Sequence, residues 1–270
     1  MLSKAFFDIL VSMSSSEVNI MEHFKAFKKV DEIFELFFEQ SKWRLSDIVD
    51  RLGYPKATVH HILAAMTELD YLTKDRNFYM LGNRILQLSG LMRRNLEFRE
   101  VALPYLEELR NEINETIHLT SLFRDQVIYI ECLHPTHALR PHSTVGVTAS
   151  MYCTGVGKAL LAFQPNSYVD GYLERVTLAR RTDNTITDKE QLRKELEWIR
   201  EHGYAYDRIE QEENIKCLAA PILDNHGVAK YAVSIAGPSN RMTDEAIERY
   251  KEPFLKTIEK LNRLFIDFET

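Results

Sequence analysis

Three cysteines in 270 residues are few. Cys132, Cys153 and Cys217 lie far apart, and an odd, sparse set argues against a disulfide framework and for a reducing, cytoplasmic setting. No Cys-x-x-Cys or His-Glu-x-x-His spacing occurs, so a structural zinc site has no ligand set to use, and no metal or cofactor is expected. Long apolar runs are also missing. The longest near the start, within Met1–Met13 (Ala5, Phe6, Phe7, Ile9, Leu10, Val11), is too short to span a bilayer. With one basic residue ahead of it and Asp8 inside it, the run makes a poor secretory signal. It reads as a short extra helix or a loose arm, with Ser14 to Ser16 as a break. Positive charge is in deficit, with a net of −6. No global field draws the chain to nucleic acid, so any DNA binding must come from a local surface. Internal repeats and low-complexity tracts are absent too.

What is present is ordinary for a globular protein: 45% hydrophobic and 27% charged residues. The length suits two domains. From Met21 to Gln40, Phe24, Phe27, Val30, Ile33, Phe34 and Phe37 keep helical spacing. A second helix carries Leu45, Ile48, Val49 and Leu52, with Ser46 as N-cap and Gly53 as the stop. Pro55 opens a third, striped by Val59, Ile62, Leu63 and Met66. Then Tyr71-Leu72-Thr73 and Phe78-Tyr79-Met80 read as strands around a Lys74-Asp75-Arg76-Asn77 turn. Three helices and a hairpin make a winged helix.

A linker helix follows, marked by Ile85, Leu88 and Met92. Beyond it Leu103–Ile113, Thr154–Phe163, Asp188–Glu201 and Thr243–Phe268 read as helices. Thr116–Phe123, Val127–Leu133, Leu218–Leu223 and Ala229–Ile235 read as strands. Helices on an antiparallel sheet give an α+β second domain.

A helix entering a major groove must bury one side and present small or polar residues on the other. The third helix does this. Opposite its buried stripe lie Ala57, His61, Ala64 and Glu68, flanked by Thr58 and His60. The alanines allow close backbone approach; Lys56, Thr58, His60 and His61 supply contacts. Ser46 joins this face, and Lys74 and Arg76 at the hairpin tip would meet phosphates. The bland reading is a three-helix bundle with two exposed histidines, and charge does not decide between them. Met1 to Leu81 carries ten Lys and Arg against twelve Asp and Glu, whereas Gly53 to Thr67 holds Lys56, two histidines and no acid. Affinity per domain should be modest, so a dimer reading two half-sites is expected.

Thr154-Gly155-Val156-Gly157-Lys158 opens a helix whose N-terminal amides suit a carboxylate. It is not a P-loop, because Tyr152 replaces the first glycine and Ala159 the hydroxyl residue.

The ordered series Leu45-Ser46-Asp47-Ile48-Val49-Asp50-Arg51-Leu52-Gly53 through Leu63, Tyr79-Met80-Leu81-Gly82, Glu115-Thr116-Ile117-His118-Leu119, Gly155 to Ala162, Thr185-Ile186-Thr187, Gly203 to Asp207, Cys217 to Pro221 and Val233 to Pro238 resembles the IclR family of bacterial regulators. The resemblance spans about residues 22 to 268. It implies a winged helix-turn-helix, a linker helix and a GAF-like effector-binding domain. Residues 1–20 are then an extension, 21–82 the DNA-binding domain, 83–98 the linker helix and 99–270 the effector domain. It also implies no enzyme but a repressor of a carbohydrate or sugar-acid catabolic operon, nearest the ketodeoxygluconate branch. Such a protein binds double-stranded operator DNA and a small organic acid as a homodimer or tetramer, with no membrane partner. An effector-dependent activator is the alternative. Effector contacts map onto Gly155, Val156, Asp207, Cys217 and Ser234, while Ala236 stands where the family has a second serine. His61 stands where arginine is frequent, and the hairpin tip is shorter than usual.

Two rivals come from other classes. A cysteine hydrolase would need Cys217 beside His118, His142 or His226, without a local signature. An interaction module would use the apolar stripe Tyr250, Phe254, Leu255, Ile258, Leu261, Phe265 and Phe268, which more simply packs on the sheet.

Overall fold

The computed structural model describes residues 15–94 and 97–269, with side chains over 24–92 and 98–266. The apolar run Met1–Met13 lies outside the described residues. The chain divides into two units, Met1–Asn95 and Leu96–Thr270.

In the first unit, helix α1 (Ser15–Glu39) starts within the serine run expected to separate the N-terminal arm from it, earlier than the Met21 start read from the sequence. Serine favours helix starts, and no Gly or Pro interrupts the chain from there to Glu39. Helix α2 (Leu45–Leu52) and helix α3 (Lys56–Glu68) follow. Gly53 separates them at φ 70°, and its N–H donates to Val49 O at 2.9 Å, the left-handed stop that glycine takes without strain. Ser46 is not the N-cap. The two-residue strand β1 (Trp43–Arg44) runs straight into α2, so Arg44 holds the cap position with extended backbone and no side-chain cap bond. Ser46 falls in the first turn, its Oγ donating to Asp47 at 3.0 Å.

Strands β2 (Leu72–Asp75) and β3 (Phe78–Leu81) complete an antiparallel sheet of order β1-β3-β2. The turn is shorter than the sequence suggested. Lys74 and Asp75 pair with Tyr79 and Phe78, leaving Arg76 and Asn77 as a two-residue connection, the length that matches strand twist. The core joins Ile33 and Leu36 of α1 to Ile48 of α2, Val59, Leu63 and Met66 of α3, and Leu72, Tyr79 and Trp43 of the sheet. Trp43 Nε1 donates to Leu36 O at 2.9 Å. Truncating a fully buried member such as Ile48 or Leu63 removes a side chain worth about 2–5 kcal/mol in a core. The helical stripe of α1 outruns this core: Phe24 is 65% and Phe27 75% exposed. Helix α4 (Asn83–Arg94) carries exposed Leu86, Leu91 and Met92.

The second unit begins with helix α5 (Glu97–Ile113) and the hairpin β4 (Thr116–Phe123) and β5 (Gln126–Leu133). Then come β6 (Thr148–Ser150), α6 (Gly155–Ala162), α7 (Asn166–Arg175), α8 (Lys189–His202), β7 (Ala205–Arg208), β8 (Ile215–Leu223), β9 (Ala229–Pro238) and α9 (Asp244–Glu269). The six strands form one antiparallel sheet of order β6-β5-β4-β9-β8-β7. Alternation along the strands sends side chains to two cores. Ile117, Leu119, Leu218, Ala220, Val233 and Ile235 meet Phe98, Leu106 and Leu109 of α5 and Phe254, Ile258, Leu261 and Phe265 of α9. The C-terminal stripe thus packs on the sheet, Phe268 lying outside the described side chains. On the other face Val127, Ala219 and Ala232 meet Leu160, Tyr172 and Leu196 of α6, α7 and α8. The unit is the α+β architecture the resemblance implies.

Candidate nucleic-acid face and effector cavity

In the first unit, Lys56, Ala57, His60 and His61 of α3 are exposed and Thr58 is half-buried, while Val59, Leu63 and Met66 point into the core. A groove of about 720 Å³ runs beside this face, lined by Ser46 and Asp50 of α2, Lys56 and His60 of α3, and Arg44, Lys74 and Asn77 of the sheet region. Four of the residues expected on the DNA-facing set (Ser46, Lys56, His60, Lys74) therefore converge. Ala57, Thr58 and His61 share the helix without lining the groove, and Arg76 sits at the hairpin tip with φ 53°. Sequence reasoning missed Arg44 and Asn77. Arg44 lies 4.8 Å from the Phe78 ring centroid and Lys74 lies 5.3 Å from that of Tyr79. Both residues are exposed while their charged ends sit over sheet aromatics, and a basic residue just ahead of α2 was the signal for the first.

In the second unit, a cavity of about 140 Å³ opens between the sheet and the start of α6. Register explains who lines it. Asp207, Cys217 and Ala236 are cross-strand neighbours on β7, β8 and β9, and Ala219, Ser234 and His118 form the next row on β8, β9 and β4. Such neighbours point to one face. Gly155 and Val156 roof this floor. Thr154 caps α6, its Oγ1 accepting the Gly157 amide at 3.1 Å. The two glycines differ in role. A Cβ on Gly157 would stand 2.4 Å from Met151 Cα, so packing demands that glycine, whereas at Gly155 it would meet Ala219 Cβ at 3.2 Å.

All five residues expected as effector contacts, Gly155, Val156, Asp207, Cys217 and Ser234, line this cavity. Asp207 is buried, and its Oδ1 accepts the Glu210 amide at 2.7 Å. Burial pushes its carboxyl up to about 7, with the Glu210 carboxylate adding to the rise. Glu210 itself is held by Lys158, fully buried on α6, whose Nζ donates to both its oxygens at 2.6 and 2.8 Å and to Glu195 at 3.1 Å. Ile209 between them adopts φ 64°, a strained conformation for a β-branched residue. The Asp207–Glu210 corner is thus fixed from α6 on one side. On the other, Thr185 Oγ1 donates to Glu210 O at 2.7 Å.

Burial raises the Cys217 thiol well above its ordinary range, with Asp207 and Glu210 adding to the effect. That is the reverse of nucleophile activation. His118 also lines the cavity, but its nitrogens face Ser234 Oγ at 3.1 Å and Ser143 Oγ at 2.6 Å. His142 lines the cavity from the 134–147 segment, and His226 sits in the β8–β9 turn. Cys153 is core, and Cys132 is half-buried on β5. His118, Tyr129, Ser143 and Gln211 are lining residues that the sequence reading did not assign to the site. Among the described residues no cluster could hold a metal ion, and no helix is long and apolar enough to cross a membrane.

Two family models match the chain: "Bacterial transcriptional regulator IclR C-terminal" over residues 91–263 and "IclR helix-turn-helix domain" over 29–76. The HTH-type transcriptional regulator KdgR of Escherichia coli is 32% identical over 224 residues, covering 82% of this chain and 85% of that protein. The DNA-binding transcriptional repressor YiaJ of Escherichia coli is 31% identical, covering 81% and 79%. Among solved structures, an IclR homologue from Microbacterium hydrocarbonoxydans complexed with 4-hydroxybenzoate is similar with a TM-score of 0.74 at 26% identity, covering 88% of this chain and 99% of that one.

Proposed function

As a member of the IclR family of bacterial transcriptional regulators, and not an enzyme, this chain is, we propose, a repressor of a carbohydrate or sugar-acid catabolic operon that acts in the cytoplasm and is released by a small organic acid. The observation that carries the acid is the cavity itself. It joins the head of a helix, whose dipole favours an anion, to a buried Asp207 able to hydrogen-bond a hydroxyl in either protonation state. Gly155 and Val156 hold the carboxylate, and Asp207, Cys217 and Ser234 hold the remainder. The relative complexed with 4-hydroxybenzoate supports an organic acid as the ligand class. Operator DNA is read by Lys56, Ala57, Thr58, His60 and His61, with Ser46, Lys74 and Arg76 on phosphates. The chain works as a homodimer, and the exposed Leu86, Leu91 and Met92 of α4 supply the apolar surface such contact needs.

The test pairs two assays. The protein should retard a specific genomic fragment with affinity falling steeply as salt rises, and a sugar acid or keto acid should raise its Tm and release the fragment. Asp207→Ala should abolish the thermal response. No specific retardation at any salt defeats the regulator reading, and a response intact in Asp207→Ala defeats the site.

A further inference from the structure

Resting on the reading of the cavity as an effector site, we propose that His118 and Ser143 form a second recognition subsite for a neutral hydroxyl or carbonyl group, so that the effector is a hydroxylated or oxo acid with a single negative charge. The subsite stands apart from the helix end. Gly155 lies over Ala219 and Cys217 on β8, whereas His118 lies on β4, two strands across the sheet. At one strand spacing of about 4.8 Å per step, that separates the two ends by about 10 Å, the reach of a short carbon chain. His118 is buried between two hydroxyls, Ser234 on the floor and Ser143 on the 134–147 segment that closes the cavity.

Burial lowers the His118 imidazole to about 3, so at neutral pH it carries one donor and one acceptor nitrogen. The serine hydroxyls can take either complementary role, which lets a ligand hydroxyl or carbonyl insert without leaving an unpaired group. Charge sets the limit. Among the described residues no lysine or arginine lines the cavity, while Asp207 and Glu212 do. Lys158 is already committed to Glu210 and Glu195. A second carboxylate would enter beside acids with no counter-charge, a desolvation cost without return.

Calorimetric titration of the full chain with threonate, tartrate and butyrate tests this, with gluconate, glucarate and hexanoate as the six-carbon set. Within each set only the hydroxyls and the second carboxylate differ. Wild type should bind the hydroxylated monoacid at least about tenfold tighter than the other two members of its set. Ser143→Ala, which alters a loop hydroxyl, and His118→Gln should each weaken that acid about tenfold and change the unsubstituted acid by less than about twofold. Equal losses for both acids, or a diacid bound as tightly as its monoacid, would overturn the subsite. Equal wild-type binding of hydroxylated and unsubstituted acids that Asp207→Ala still abolishes would overturn the subsite alone. Binding of no acid would overturn the effector reading along with it.

Discussion

Asp207 shows what one residue's environment predicts. Its carboxyl is raised to about 7 by burial, against about 3.9 in an unfolded chain. Below about pH 4 both states hold the proton and nothing is lost. As pH rises from 4 to 7 the unfolded chain releases its proton while the folded protein keeps it, so stability declines across that window and the loss is complete above 7. Asp207→Asn keeps an Oδ1 to accept the Glu210 amide and does not titrate. It should match wild type near pH 4 and melt on the order of 5 °C higher at pH 8, by calorimetry without ligand. Parallel Tm–pH curves for the two proteins would show that Asp207 is not the group responsible. His118 entered the sequence reading only as a base for the hydrolase rival, and its place in the effector cavity was not legible there. Its assignment to the floor depends on Ser234 standing opposite on β9 and on Ser143 arriving from a loop, and neither partner is written in the local pattern of β4.

Elements were legible where periodicity was strong. The stripes of α2 and α3 placed both helices, because each has one face on a core, and β4 stood out as a strand although both of its faces are covered. Helix α7 and strands β1, β6 and β7 were not assigned: the strands are two to four residues long, too short to display a period. The hairpin was legible, but its turn was drawn too wide, since Lys74 and Asp75 join the ladder. That correction bears on the wing. Lys74 now projects from a paired strand and Arg76 from a two-residue tip. Both are exposed and make no ion pair among the described residues. If each meets one phosphate, Lys74→Ala with Arg76→Ala should flatten the plot of log affinity against log salt by about 2 and leave sequence preference unchanged. His60→Ala or His61→Ala should instead relax the preference with little change in slope. A wing variant with an unaltered slope would remove the hairpin from the interface.

The whole molecule must reconcile a net charge of −6 with binding a polyanion. In the first unit the groove beside α3 concentrates Arg44, Lys56 and Lys74 against a single Asp50. That field is local and weak, so one recognition helix has little electrostatic reserve. Joining two helices in one dimer makes the second binding event intramolecular, and its gain of about 10²–10⁴ needs no new contact to DNA. On the proposed reading of a homodimer, α4 offers an apolar surface for such pairing: Leu86 is 72% and Leu91 56% exposed. Both face water at a cost that contact with a second copy would relieve. Leu86→Glu with Leu91→Glu should therefore sediment as a monomer and bind a two-half-site operator at least about 100-fold more weakly. Far-ultraviolet circular dichroism and the response to effector, which belongs to the other unit, should stay the same. If the double variant remains dimeric, α4 is not the interface. If it becomes monomeric with undiminished operator affinity, a single recognition helix suffices, and the weak local field has been underrated.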